Sequence, residues 1–358
     1  MIRSWKVVAV IFAACAAAAL VIAVHRGQAN AASKLPVVAG AVDVLPIAEA
    51  TLPRFAASTG LSLTIASSPD AVAALKAGLV DVALLGKEPD PSDLPQLDDH
   101  VVAYDAVCLV VDLRSYNGGE QIDSSMGVLL PMARTNGLKD LSLDDVAALA
   151  SNAWMQGSDV WSWRADFANY RAVMNPATAA PEPDPANPKY ARGVWVRTAI
   201  PVRMWWLLPG KFDTQGALFQ QIGLNEANLA NATNVSFAPH WYDSEEELVS
   251  GRWDLNPGEA NHVSRNPFFF QAGFLSRRVT LRAIRYGFMV HAVSIDGVDP
   301  TGDTGPIYGG QYPLSRRIHV LTRRPAGKVA AEFVAYLASP AGQAQIAQED
   351  FLPAVHHP

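Results

Sequence analysis

Residues 294–321 read SIDGVDPTGDTGPIYGGQYPLSRRIHVL, and the order of features in this stretch decides the fold. Its first half is rich in Gly, Pro and Asp, the residues that make turns. Its second half passes through Tyr312-Pro313-Leu314-Ser315-Arg316-Arg317 into an apolar strand ending at Leu321. Beyond it, Val329, Phe333, Tyr336 and Leu337 fall at helical spacing and predict an amphipathic helix over 328–338. Ser339-Pro340 then caps a last short helix, SPAGQAQIAQ.

The other end of the chain supplies a sheet for these elements. Residues 35–39 read as a short apolar strand and residues 40–43, Gly-Ala-Val-Asp, as a turn. A helix follows that buries Ile47, Leu52 and Phe55, with Pro53 as a kink. Residues 61–66 alternate like a strand. Ser68-Pro69-Asp70 then gathers three helix-start signals: a capping serine, a proline at the first helical position and an acid in the first turn. That helix keeps Val72 and Leu75 on one face and stops at Gly78. The apolar run 79–85 suits a strand covered on both faces.

Residues 103–112 (AYDAVCLVVD) form a further buried strand and mark the crossing into a second lobe. There Ser142 and Asp145, three apart, make a capping box at a helix start. Residues 175–188 hold five prolines and read as a surface loop, ordered or floppy, rather than a domain linker. Eight of the nine tryptophans lie between Trp154 and Trp253, so they either pack the core or offer a stacking surface to a sugar or a protein. The chain returns to the first lobe near 285–293. The expected division is 32–112 with 286–358 as lobe I, and 113–285 as an inserted lobe II.

Residues 1–31 carry Arg3 and Lys6 before the apolar run 7–24, then end in Ala29-Asn30-Ala31. A basic start, an apolar middle and small residues at −3 and −1 define a secretory signal peptide. An uncleaved anchor is the alternative, since 18 apolar residues can just span a bilayer. Cleavage after residue 31 removes three of the 28 basic residues and no acid, leaving 25 against 34 and a formal charge of −9. That balance argues against nucleic acid and anionic membranes as partners, but not against a small anion held by local groups. Cys108 is then the one remaining cysteine, so no internal disulfide forms and the fold rests on its core.

Taken in this order, the features resemble the high-affinity phosphate-binding proteins that serve bacterial ABC transporters, over most of the chain beyond residue 31. The resemblance implies a two-lobed α/β periplasmic-binding-protein fold of type II. It has mixed, mostly parallel sheets, and two crossing strands act as a hinge. It further implies a periplasmic monomer that traps its solute between the lobes and presents it to an ABC permease in the inner membrane. Helix N-termini facing the cleft hold the anion, and hinge motion closes around it. No cofactor and no metal are expected.

The ligand loops match the family in part. The first turn contributes Ala41 and Asp43, with Asp43 where the family usually has a hydroxyl. The second, Ser67-Ser68-Pro69-Asp70, keeps Ser68 and adds Asp70. The third ends in Leu85-Gly86-Lys87, so Gly86 stands where the family's aspartate belongs and Lys87 supplies a basic end. The family's fourth motif is absent, and Arg197, Arg203 and Thr214 are the nearest candidates. Either arginine would supply a bidentate fork for an oxyanion. Each residue also has a plainer reading: Asp43 as a solvent-facing turn residue, Asp70 and Ser68 as helix-start residues, the arginines as surface charges, and Lys87 as a partner of Glu88. Two carboxylates about 4 Å from a dianion would each oppose it by several kcal/mol.

Enzyme motifs are weak. Asp303-Thr304-Gly305 matches the aspartic-protease triplet, but such a dyad needs a second copy and the chain has none. There is no His-Glu-x-x-His, Gly-x-Ser-x-Gly or Walker loop. The expectation is a non-catalytic solute-binding protein for phosphate or a related oxyanion. The rivals are a scaffold that kept the fold and lost the ligand, and a binder of an organic or sugar solute.

Overall fold

The computed structural model describes residues 35–112, 119–123, 130–135, 138–155, 160–163, 168–197, 200–207, 211–224, 241–242, 245, 270–288 and 290–354. Residues 1–31, where the signal peptide is expected, and Trp253 lie outside them.

Strand β1 (Val37–Gly40) turns directly into helix α1 (Leu45–Thr59), which buries Ile47, Leu52 and Phe55. Pro53 lies inside α1 without ending it, and Gly60 closes the helix at φ 72°, a left-handed cap that glycine adopts without strain. Strand β2 (Thr64–Ser67), the short helix α2 (Ala71–Lys76) and β3 (Val82–Leu85) follow. Both strands flank β1 in parallel. The start of α2 departs from expectation. Asp70, not Ser68, is its N-cap residue, and no side chain caps it. The Ser68 N–H instead donates to the Gly40 carbonyl at 2.9 Å, extending the β1–β2 ladder by one residue.

Strand β4 (Leu97–Asp112) begins six residues before the expected 103. After it come β5 (Gly119–Asp123), β6 (Leu130–Thr135), β7 (Asp140–Leu141) and helix α3 (Leu143–Met155). The chain continues through β8 (Val160–Trp163), β9 (Ala168–Ala172), β10 (Gly193–Arg197), β11 (Ile200–Leu207) and helix α4 (Asp213–Gln221). Then come β12 (Trp241–Tyr242), β13 (Phe270–Ser276), α5 (Arg277–Arg285), β14 (Val290–Ala292) and β15 (Ser294–Ile295). The tail contains α6 (Gly305–Tyr308), β16 (Ser315–Arg323), α7 (Lys328–Ala338), α8 (Pro340–Gln348) and β17 (Leu352–Pro353).

The main sheet runs β12-β11-β13-β4-β16-β3-β1-β2. Its outer parts, β12-β11-β13 and β3-β1-β2, are parallel, while β4 pairs antiparallel with both β13 and β16, and β16 antiparallel with β3. Strands β10-β9-β6-β5 make a separate antiparallel sheet. Strand β4 is a shared wall of the core. Val102 and Ala103 pack with α1, α7 and α8, whose Phe55 and Phe333 rings meet edge-on at 5.3 Å. Val107, Leu109 and Val111 pack with α3 and α4, and Cys108 and Val110 with α5. Tyr312 is fully buried in the second group, and its hydroxyl donates to the Val107 carbonyl at 2.8 Å.

Several local signals held. The Asp145 N–H donates to Ser142 Oγ at 3.1 Å, and the Ser142 hydroxyl donates to Asp145 Oδ2 at 2.7 Å. Ser339 Oγ accepts from the Gly342 N–H at 3.2 Å at the start of α8. The proline-rich loop is ordered: it pairs back on itself, with bridges Met174–Pro181 and Pro183–Ala191. Asp303 Oδ1 accepts from the Gly305 N–H at 3.0 Å, so this triplet closes a turn at the start of α6.

Candidate functional site

Three pieces of chain meet at one point: the turn after β1, the residues after β3 and the start of α4. Helix α4 has Phe212 at its N-cap, which offers no capping oxygen. Its first N–H groups would be buried without partners, a costly state. Asp43, 170 residues earlier, satisfies them. The Asp213 N–H donates to Asp43 Oδ1 at 3.0 Å, and the Thr214 N–H and hydroxyl donate to Oδ2 at 2.8 and 2.7 Å. Arg316, on the inward face of β16, donates from Nη1 to the same Oδ2 at 2.8 Å and from Nη2 to Asp105 Oδ2 at 2.6 Å. Asp43 and Arg316 are 2 % and 3 % exposed. The turn residue is therefore buried rather than facing solvent.

The connection is reciprocal. Asp213, the first residue of α4, accepts from the Gly86 N–H through Oδ2 at 2.8 Å, and its Oδ1 lies 3.5 Å from Lys87 Nζ. Glycine is required at 86 because a Cβ there would stand 2.8 Å from both Arg316 Nη1 and Val44 Cγ1. The space where the family resemblance implies a carboxylate is thus filled by Arg316 and Asp213. Gly216 has a related part: its missing side chain lets the Lys87 stem lie along α4.

Charge is unevenly shared in this buried cluster. Burial works against ionised Asp43, but Arg316 and the hydrogen-bond donors outweigh it and hold the carboxyl below its ordinary range. Burial, and then the Asp43 charge, push the Asp213 carboxyl up, with Lys87 opposing. Glu245 accepts from the N–H and hydroxyl of Ser276, and burial followed by Asp43 raises it to about 7. Burial would lower the Arg316 pKa, but Asp105 and Asp43 more than reverse that, so its charge is permanent.

Above this cluster lies a cavity of about 300 Å³ between α2, the β3–β4 connection and α4. Its wall brings together Ala41, Ser68, Asp70 and Lys87 with Asp213. Glu88, Asp90 and Asp93 add negative charge, and Lys76, itself paired with Asp93, adds positive charge. Glu88 pairs with Arg317 and not with its neighbour Lys87. Of the nine residues expected at the site, four line the cavity, while Asp43, Gly86 and Thr214 form the bonded layer beside it. Arg203 is on β11, with its backbone opposite Gln271 of β13 and Val160 of β8. Arg197 ends β10, in the separate four-stranded sheet, opposite Ala168. Sequence reasoning missed Asp213, Glu245 and Arg316 as site residues. The acid in the first turn of α4 and the inward alternation of β16 were the signals available.

The fold is a two-lobed α/β binding-protein fold of type II, and solved structures similar to it include phosphate-transport receptors. One, from Clostridium perfringens, is a putative phosphate ABC transporter substrate-binding protein with bound phosphate. It is 14 % identical, with a TM-score of 0.54 over 90 % of this chain and all of that one. An ABC-type phosphate transport receptor from Vibrio cholerae is also 14 % identical, at TM-score 0.54 over 88 % and 99 % of the two chains. PstS from Borrelia burgdorferi is 12 % identical, at 0.50 over 90 % and 99 %. No protein-family model matches the chain, and no curated protein matches its sequence.

Proposed function

We propose that this protein is an extracytoplasmic, non-catalytic solute receptor that captures phosphate or a related oxyanion and delivers it to an ABC permease in the inner membrane. The observation that carries this reading is the cavity, where Ser68 and Asp70 from one loop and Lys87 from another share one wall with the start of α4. The likeness in fold to phosphate receptors supports it. In this reading residues 1–31 direct export, and 32–112 with 286–358 and 113–285 are the two lobes. Among the described residues no helix is long and apolar enough to cross a membrane.

The test is calorimetric titration of the chain from residue 32 with phosphate near neutral pH, with sulfate and a dicarboxylate as controls. Saturable binding of phosphate, weakened by Lys87→Ala, is expected. A flat trace on folded protein sinks oxyanion capture. The rival reading, a scaffold that kept the fold and lost its ligand, has one observation in its favour: Asp43 already occupies the start of α4.

A further inference from the structure

The start of α4 is a complete set of anion donors whose occupant belongs to the chain. Two backbone N–H groups, one hydroxyl and one guanidinium converge on the two oxygens of Asp43, within 2.7–3.0 Å. Helix N–H groups, a hydroxyl and an arginine are what a tetrahedral oxyanion would recruit. The carboxylate is almost wholly buried, so a free ion reaches these donors only by displacing it. Displacement would leave a buried carboxylate without its partners, which is strongly unfavourable. An occupant fixed in the fold also competes at high effective concentration.

We propose that Asp43 is a built-in anion that sets the specificity and affinity of the cleft. It denies a free oxyanion the strongest donors, Thr214 and Arg316, and confines capture to the outer cavity beside Ser68 and Lys87. The inference rests on the receptor reading only for the cavity's access to solute. Replacing the carboxylate would convert the start of α4 into an open oxyanion site.

The experiment compares the wild type with Asp43→Ser and Asp43→Ala. In titrations, Asp43→Ser should bind phosphate at least about tenfold more tightly than the wild type. In thermal melts, formate and phosphate, set against chloride at equal ionic strength, should raise the midpoint of Asp43→Ala by at least about 2 °C. The wild type should not respond to formate. If Asp43→Ala folds only when refolded in concentrated formate, that rescue supports the proposal, and failure of both variants to fold with either anion overturns it. Phosphate binding by the wild type that Asp43→Ser leaves unchanged or weakens overturns the inference and leaves the receptor reading standing. A flat wild type beside a responsive Asp43→Ser sustains the inference and removes oxyanion capture. Flat traces for both proteins overturn both.

Discussion

Asp43 carries the largest share of the site's bonding, and Thr214 gives it two of its four donors. Thr214→Val preserves shape and removes only the hydroxyl. It leaves Asp43 Oδ2 with the Thr214 N–H and Arg316, and should lower stability by about 1–3 kcal/mol, read as a lower urea midpoint at unchanged slope. A midpoint equal to that of the wild type would mean the hydroxyl bond contributes nothing net. Arg316→Lys is not a mild change here. One guanidinium spans Asp43 and Asp105, and an ammonium cannot make both contacts with the same geometry.

At the scale of elements, α4 is docked from outside itself. Asp43 satisfies its start, and Asp213 returns a bond to the backbone after β3. Gly86 makes the close approach of these segments sterically feasible. Gly86→Ala should therefore cost about 1–3 kcal/mol through overpacking against Arg316 and Val44, and hydrogen exchange should show the first turn of α4 opening more readily. Unchanged protection there would place the strain elsewhere. The neighbouring strand β16 shows how an element-level pattern was visible but its meaning was not. The alternation that puts Ile318 and Val320 inside also puts Arg316 inside, and a sequence does not say which carboxylates await it.

For the whole molecule, the buried carboxylates predict how stability varies with pH. Glu245 is raised from an ordinary 4.5 to about 7, so its contribution is full below about 4.5 and is lost as pH rises through 7. Asp213, also raised, adds to that decline. Asp43, held below 3.8, runs the other way: its contribution is present above that value and disappears as pH falls through its lowered folded value. Stability should peak in the weakly acidic range. Glu245→Gln should flatten the fall between pH 4.5 and 7 in urea midpoints measured across that interval. An identical slope in both proteins would assign the dependence to other groups.

Much of the architecture is legible along the chain because its signals are local. The capping box at Ser142, the cap at Ser339 and the helical spacing of Phe333 and Leu337 each involve residues within a few positions of one another. The resemblance built on residues 294–321 led to the same fold as the phosphate receptors. Ser68 shows the limit even at short range: its cap signal lost to a ladder bond with Gly40, which is set by the sheet. The site lay beyond that limit altogether. Asp43 and Thr214 are 171 residues apart, and Arg316 is 273 from Asp43. The sequence by itself determined the elements, because propensity and capping act over one or two turns. Only the tertiary structure decided that the carboxylate in the first turn fills an anion position, because long-range packing alone brings those donors to one point.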